Sequence, residues 1–149
     1  MKDKNNLLDY NQWTLGEYEP SSIVVTNATN AKAYLTYEYS HIGEKSLKIT
    51  QLANGGYAFI NYNENKKNKT LTATTYINTN NSKVYFLLVE LVNGHVVQSP
   101  YIVIPPNSEG LYSISLITGN EDNKLRMQVN LYGENNNHIF QDSLKLTLQ

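Results

Sequence analysis

Polar side chains with complementary hydrogen-bonding chemistry alternate along residues 124–132. The polar row consists of Arg126, Gln128, Asn130 and Tyr132. The positions between them form an uninterrupted apolar row of Leu125, Met127, Val129 and Leu131. Because successive side chains of a β-strand point to opposite faces, the pattern predicts a strand that buries the apolar row and presents the polar row to solvent. One face would then carry a guanidinium, two amides and a phenol ring.

This combination of side chains is suited to binding a sugar, because aromatic faces stack on the C–H groups of a pyranose while amides and charged groups form hydrogen bonds with its hydroxyls. The chain has 12 tyrosines, three phenylalanines and one tryptophan to supply such faces. We expect Tyr76 and Glu90 to join this face from neighbouring strands. The alternative is a solvated sheet face without a ligand, because Thr, Gln, Asn and Tyr are common on strands for packing reasons alone.

The sequence offers no catalytic constellation. His41, His95 and His138 fall in turns or at strand ends, with no carboxylate or hydroxyl at a telling spacing. There is no Gly-rich phosphate loop, no nucleophile elbow and no His-x-x-x-His pair, and the absence of cysteine excludes disulfides and thiolate chemistry. We therefore expect a protein that is not an enzyme.

Charge and hydropathy limit the classes of partner. The formal net charge is -1 and the lysines are scattered, so we expect no nucleic-acid partner. No apolar run reaches the ~20 residues that a membrane helix needs, so we expect no membrane insertion. Residues 1–4 lead into asparagines and not into the apolar region of a secretory signal.

Short segments with two-residue alternation recur along the chain, and no window has a helical period. Turn signals separate them, the clearest being Asn93-Gly94, which predicts a tight hairpin. The predicted strands are Ile23–Thr26, Ala33–Tyr39, Ser46–Leu52, Tyr57–Asn63, Lys69–Ile77, Lys83–Val92, His95–Ile104, Gly110–Ile117, Lys124–Tyr132 and Ile139–Thr147. We expect one domain over residues 1–149, because neither a repeat nor a linker interrupts this pattern.

The segment Val84–Val92 is unusual because both of its faces are apolar. We expect a central strand whose outer face is covered or used. Glu90 falls on the row of Val84, Phe86 and Leu88, where a carboxylate needs a partner.

Three short stretches carry a resemblance to a known group of proteins. Asn5, Leu7 and Leu8 precede Trp13, Gly43–Ile49 reads Gly-x-x-Ser-Leu-x-Ile, and Asp142 lies in the closing segment Phe140–Leu146. This arrangement resembles the jelly-roll carbohydrate-binding modules of the galactose-binding-like superfamily, especially families four, nine, sixteen and twenty-two.

The resemblance implies an all-β jelly-roll sandwich of two antiparallel sheets that binds a poly- or oligosaccharide. It also implies a structural calcium ion, with Asp142 as a side-chain ligand and Asp9 or Glu17 as weaker candidates in the N-terminal segment. Backbone carbonyls near Gly43–Ser46 would complete the site, since calcium takes six to eight oxygens. Trp13 is expected to pack against the sandwich.

A competing function is a structural or adhesive domain of a phage tail or cell-surface protein that acts through protein contacts. Both functions imply an extracellular, cell-surface or virion location, and both are compatible with a place in a larger surface or virion protein. A groove with aromatic and polar groups would favour sugar binding, and an apolar patch or a subunit contact through Val84–Val92 would favour assembly.

Overall fold

The computed structural model describes Leu7, residues 27–41 and residues 46–148 of the 149-residue chain. The predicted strand Ile23–Thr26, Trp13, Asp9 and Glu17 lie outside the described residues. The described strands are β1 (Asn27–Thr29), β2 (Ala31–Thr36), β3 (Ser46–Gln51), β4 (Gly56–Tyr62), β5 (Thr70–Asn78), β6 (Lys83–Val92), β7 (His95–Gln98), β8 (Tyr101–Ile104), β9 (Glu109–Ile117), β10 (Lys124–Tyr132) and β11 (His138–Leu148).

Two antiparallel sheets form, which confirms the predicted all-β sandwich. The six-stranded sheet has the order β1-β4-β10-β6-β7, with β8 also paired to β6. The five-stranded sheet has the order β2-β3-β11-β5-β9. No helix is found among the described residues, so none of them forms a helix able to cross a membrane.

The core lies between the sheets and uses the apolar rows that alternation predicts. From the six-stranded sheet come Phe86, Leu88, Leu125 and Leu131, and from the five-stranded sheet Ile49, Leu71, Ile77 and Leu146, all completely buried. Buried and more exposed positions alternate along most of β4 and β10, as expected for two packed sheets, whereas Ile139–Leu144 of β11 are buried on both faces.

The turn after β6 is the predicted tight hairpin. Asn93 has φ 52° and Gly94 has φ 78°, and a two-residue type I′ loop requires positive φ at both positions. Asparagine fills most such positions here: Asn30, Asn68, Asn80, Asn93, Asn107 and Asn136 are six of the seven described non-glycine residues with positive φ. Their short polar side chains tolerate this backbone conformation.

The prediction of one strand over His95–Ile104 is wrong, because two strands occupy it. β7 ends at Gln98 and β8 begins at Tyr101, and both pair with β6. Pro100 lies in the gap. Its carbonyl accepts a bond from the Leu88 backbone N–H at 3.1 Å, but it has no N–H of its own to continue the ladder.

Candidate ligand-binding groove

The outer face of the six-stranded sheet carries the predicted polar row. β10 lies between β4 and β6, so its outward side chains have neighbours on both sides. Arg126 is flanked by Asn61 and Val89, while Gln128 is flanked by Phe59 and Leu87. Asn130 lies between Tyr57 and Tyr85. The structure thus brings together Arg126, Gln128, Asn130 and Tyr132, as alternation predicts.

A groove crosses this face, and we call its first part the aromatic end. It is a shallow depression of about 350 Å³. Its lining consists of Gly55, Tyr57, Leu87, Val89, Val96, Ser99, Arg126, Gln128 and Asn130. Gln128 donates a hydrogen bond from Nε2 to Asn130 Oδ1 at 2.8 Å, which fixes the two amides against each other. The amides and the guanidinium of β10 therefore run along the middle of this depression, between the side chains of β4 and the apolar Leu87 and Val89 of β6.

Three tyrosines cluster beside the aromatic end. The rings of Tyr85 and Tyr101 are stacked with centroids 5.2 Å apart, and Tyr132 packs against Tyr85 at 5.0 Å. The Lys83 ammonium lies 5.8 Å from the Tyr85 centroid. Tyr101 is 56% exposed, so it presents much of its ring to solvent. Such a cluster provides rigid aromatic surface at low entropic cost.

The second part of the groove, the amide end, begins on the other side of Arg126. It is a depression of about 490 Å³. Its lining consists of Asn61, Asn63, Leu91, Asn93, Gly94, Asp122, Asn123, Lys124 and Arg126. Asp122 forms an exposed ion pair with Lys67 at 3.1 Å, and this lysine lowers the pKa of the Asp122 carboxyl. Arg126 is the residue shared by both ends.

Glu90 does not belong to this face, so that prediction is wrong. Its side chain is 2% exposed and points to the inner side of β6. The carboxylate accepts hydrogen bonds from Gln98 Nε2 and Asn123 Nδ2, each at 2.8 Å, and from the Gly119 backbone N–H at 3.1 Å. These donors are the partners that a buried carboxylate needs, so Glu90 fastens the loop 118–123 to β6 and β7.

Tyr76 is also wrongly grouped with the polar row, because β5 belongs to the other sheet. Its hydroxyl donates to Glu109, as does the hydroxyl of Tyr39, and the His41 ring stacks on Tyr76 at 3.6 Å. The hydrogen bond to Glu109 raises the pKa of Tyr76, and the two phenols lower the pKa of Glu109. The ring of Tyr76 is thus engaged on the opposite side of the sandwich.

Sequence reasoning missed Tyr57, Phe59, Tyr85 and Tyr101, which supply most aromatic surface of the groove. One signal was available for Tyr85, because the apolar outer row of Val84–Val92 indicates a face that is covered or used. Tyr57 and Phe59 alternate with Ala58 and Ile60 on β4, but that pattern does not reveal that β4 adjoins β10.

Asp142, the predicted calcium ligand, lies on β11 at a bulge. It is 2% exposed, and its carboxylate oxygens accept bonds from the backbone N–H groups of His41 at 2.9 Å and Ser143 at 2.8 Å. The Ser143 hydroxyl beside it is buried and has no hydrogen-bond partner among the described residues. Within the described part of the chain, no group of three His, Cys, Asp or Glu residues converges. The predicted carbonyl ligands near Gly43 to Lys45 lie outside that part.

Searches with the sequence alone find no relatives: no family model matches, and neither does any curated protein. Solved structures do match. A xylan-binding domain of carbohydrate-binding module family 22 superimposes with a TM-score of 0.71 at 12% identity, covering 99% of this chain and 97% of that one. The C-terminal family 22 module of Clostridium thermocellum Xyn10B gives 0.69 at 14% identity, covering 94% and 95%.

A third match is the enzymatically active domain of tailspike protein 4 from bacteriophage CBA120, with a TM-score of 0.69 and 11% identity. It covers 97% of this chain but only 22% of the tailspike, so the chain spans about a fifth of that protein's length. The fold is the jelly roll of carbohydrate-binding modules. The predicted resemblance to such modules is thereby confirmed at the level of the fold.

Proposed function

We propose that this chain is a non-catalytic glycan-binding module that uses the outer face of its six-stranded sheet. The observation that carries the proposal is the groove itself, in which the amides and the guanidinium of β10 lie beside apolar side chains and a cluster of tyrosine rings. Sugar rings stack on the tyrosines, while Arg126, Gln128 and Asn130 bond hydroxyl groups. The fold shared with xylan-binding modules is consistent with this function and does not identify the sugar.

Affinity is expected to be roughly micromolar to millimolar, because a shallow groove leaves much of the ligand hydrated. The module would act outside the cell or on a virion, as one part of a larger protein. It would present its partner polysaccharide to whatever activity the rest of that protein carries.

Removing a groove tyrosine tests the proposal. Tyr101→Ala and Tyr132→Ala are each expected to weaken binding of a responding glycan by about 1–2 kcal/mol, roughly fivefold to thirtyfold. Calorimetric titration against a panel of plant, microbial and host glycans measures the change. Tyr34→Ala is the matched control, since Tyr34 is 40% exposed on the five-stranded sheet and its loss removes the same group elsewhere.

If a glycan binds and both groove variants bind it as well as Tyr34→Ala does, the chosen face is wrong. If no glycan in a broad panel binds, a structural or adhesive role through protein contacts becomes the better-supported function. A specific observation favours that alternative: Val96, Tyr101 and Val103, each about half exposed, leave an apolar strip on the outer face of β7 and β8. Sedimentation of the intact chain would then be expected to show self-association.

We also propose that a structural calcium ion is held at Asp142, as the family resemblance implies. The carboxylate and the unpartnered Ser143 hydroxyl beside it supply the hard oxygens that calcium prefers. The rest of the site would come from backbone carbonyl groups near Gly43–Ser46 and in the N-terminal segment. The ion's contribution would be to tie these two segments to β11.

Chelation is expected to lower the melting temperature of the wild-type protein, and added calcium to restore it, because an ion that binds only the folded state stabilises it by mass action. Asp142→Ala is expected to have a lower melting temperature than the wild type, and that temperature is expected not to change when calcium is added. Its lower melting point alone proves nothing, since the substitution also removes two backbone hydrogen bonds. Equal melting of the wild type with calcium and with chelator would contradict the site.

A further inference from the structure

Arg126 forms no ion pair within the described part of the chain. Its guanidinium carbon lies 3.8 Å from the centroid of the Phe59 ring, which covers one face of the group. The Nε atom is buried and has no hydrogen-bond partner, and no described carboxylate forms an ion pair with this side chain. The N–H donors of a guanidinium lie in its plane, and Arg126 lines both ends of the groove, so a ligand in either end is within reach of its terminal N–H groups.

The outer face of the six-stranded sheet also carries an excess of basic residues. Its six strands contain three basic residues, Lys83, Lys124 and Arg126, all on the outer face. They contain one acidic residue, Glu90, which is buried on the inner face. The carboxylate at the amide end, Asp122, is already paired with Lys67. A chain with a net charge of -1 thus concentrates unneutralised positive charge in its groove.

From this arrangement we infer that the groove selects an acidic glycan, with a uronate-type carboxylate bound by the Arg126 guanidinium. This inference rests on the proposed glycan-binding function and narrows it to one ligand class. The planar guanidinium fork matches a carboxylate with two parallel hydrogen bonds, and it is less strongly hydrated than an ammonium group. Lys83 and Lys124, near opposite ends of the groove, favour further carboxylates along the same polysaccharide.

Acidic polysaccharides and their carboxyl-reduced products provide the test, because reduction replaces each carboxylate by a hydroxymethyl group and keeps the linkages. Polygalacturonate, alginate and glucuronoxylan would each be titrated beside the reduced form. At least one acidic form is expected to bind about tenfold or more tightly than its reduced form, as for a charge-assisted hydrogen-bonded pair. The difference is expected to shrink at high salt, because exposed charges are screened.

Arg126→Gln is expected to abolish the preference, whereas Lys32→Gln, the same loss of charge on the exposed outer face of β2, is expected to keep it. Equal binding of acidic and reduced forms, or binding of neutral glycans alone, would overturn the inference and leave glycan binding intact. A preference that survives Arg126→Gln would overturn it too. Failure of every acidic, reduced and neutral glycan to bind would instead remove the proposed function, and the inference with it.

Discussion

Glu90→Ala is expected to destabilise the fold by about 3 kcal/mol or more, because it removes the carboxylate that accepts from three hydrogen-bond donors at a position only 2% exposed, and it opens a cavity there. The donors are Gln98 Nε2, Asn123 Nδ2 and the Gly119 backbone N–H. For a domain of this size such a loss lowers the melting temperature by roughly 6–12 °C. Thermal unfolding followed by circular dichroism measures it.

Glu134→Ala is the control, since Glu134 is an exposed glutamate in the turn after β10. It is expected to change stability by less than about 0.5 kcal/mol. If Glu90→Ala and Glu134→Ala have the same melting temperature, the buried carboxylate does not hold the loop 118–123. Because that loop carries Asp122 and Asn123 of the amide end, Glu90→Ala is also expected to weaken glycan binding there.

Gly56→Ala is expected to cost at least about 3 kcal/mol, since no small adjustment accommodates the added methyl group. A Cβ at this position would lie 2.1 Å from the backbone oxygen of Asn30. That oxygen accepts hydrogen bonds from the N–H groups of Leu52 at 2.9 Å and Ala53 at 3.2 Å. Relieving the clash therefore means breaking the turn that leads into β4.

Urea denaturation measures this loss as a lower midpoint with an unchanged slope. Gly119→Ala is the matched control, because a Cβ there meets nothing within 4 Å and the backbone N–H that bonds Glu90 is kept. It is expected to be neutral or slightly stabilising. A midpoint for Gly56→Ala close to that of Gly119→Ala would contradict the clash.

The sequence alone was sufficient to predict which side chains share a face within one strand. Leu125 and Arg126 fall on opposite faces of β10 as alternation requires, because the side-chain period of two is a local property. The Asn93-Gly94 turn was equally predictable, since the positive φ angles depend on the two residues themselves. Most strand bounds agree with the structure to within two residues for the same reason.

Sheet membership could not be predicted in this way. Tyr76 lies on the polar row of its own strand, as expected, but its strand pairs with β9 and β11 and never with β10. Glu90 was placed on the correct row, yet its donors come from β7 and from the loop 118–123, which is distant in sequence. The errors on Tyr76 and Glu90 both concern residues whose neighbours are set by pairing between strands distant in sequence. The aromatic residues of the groove were missed for the same reason.

The strand orders have a consequence for how the chain reaches this fold. β10 lies between β4 and β6, and β11 lies between β3 and β5, so the latest described strands form the middle of both sheets. Before they are synthesised, each sheet exists only as two separate halves whose apolar rows have no cover. Pairings so distant in sequence form slowly, and uncovered strands are prone to aggregate. Folding on the ribosome therefore cannot be completed strand by strand, because both sheets can close only after β10 and β11 have been synthesised.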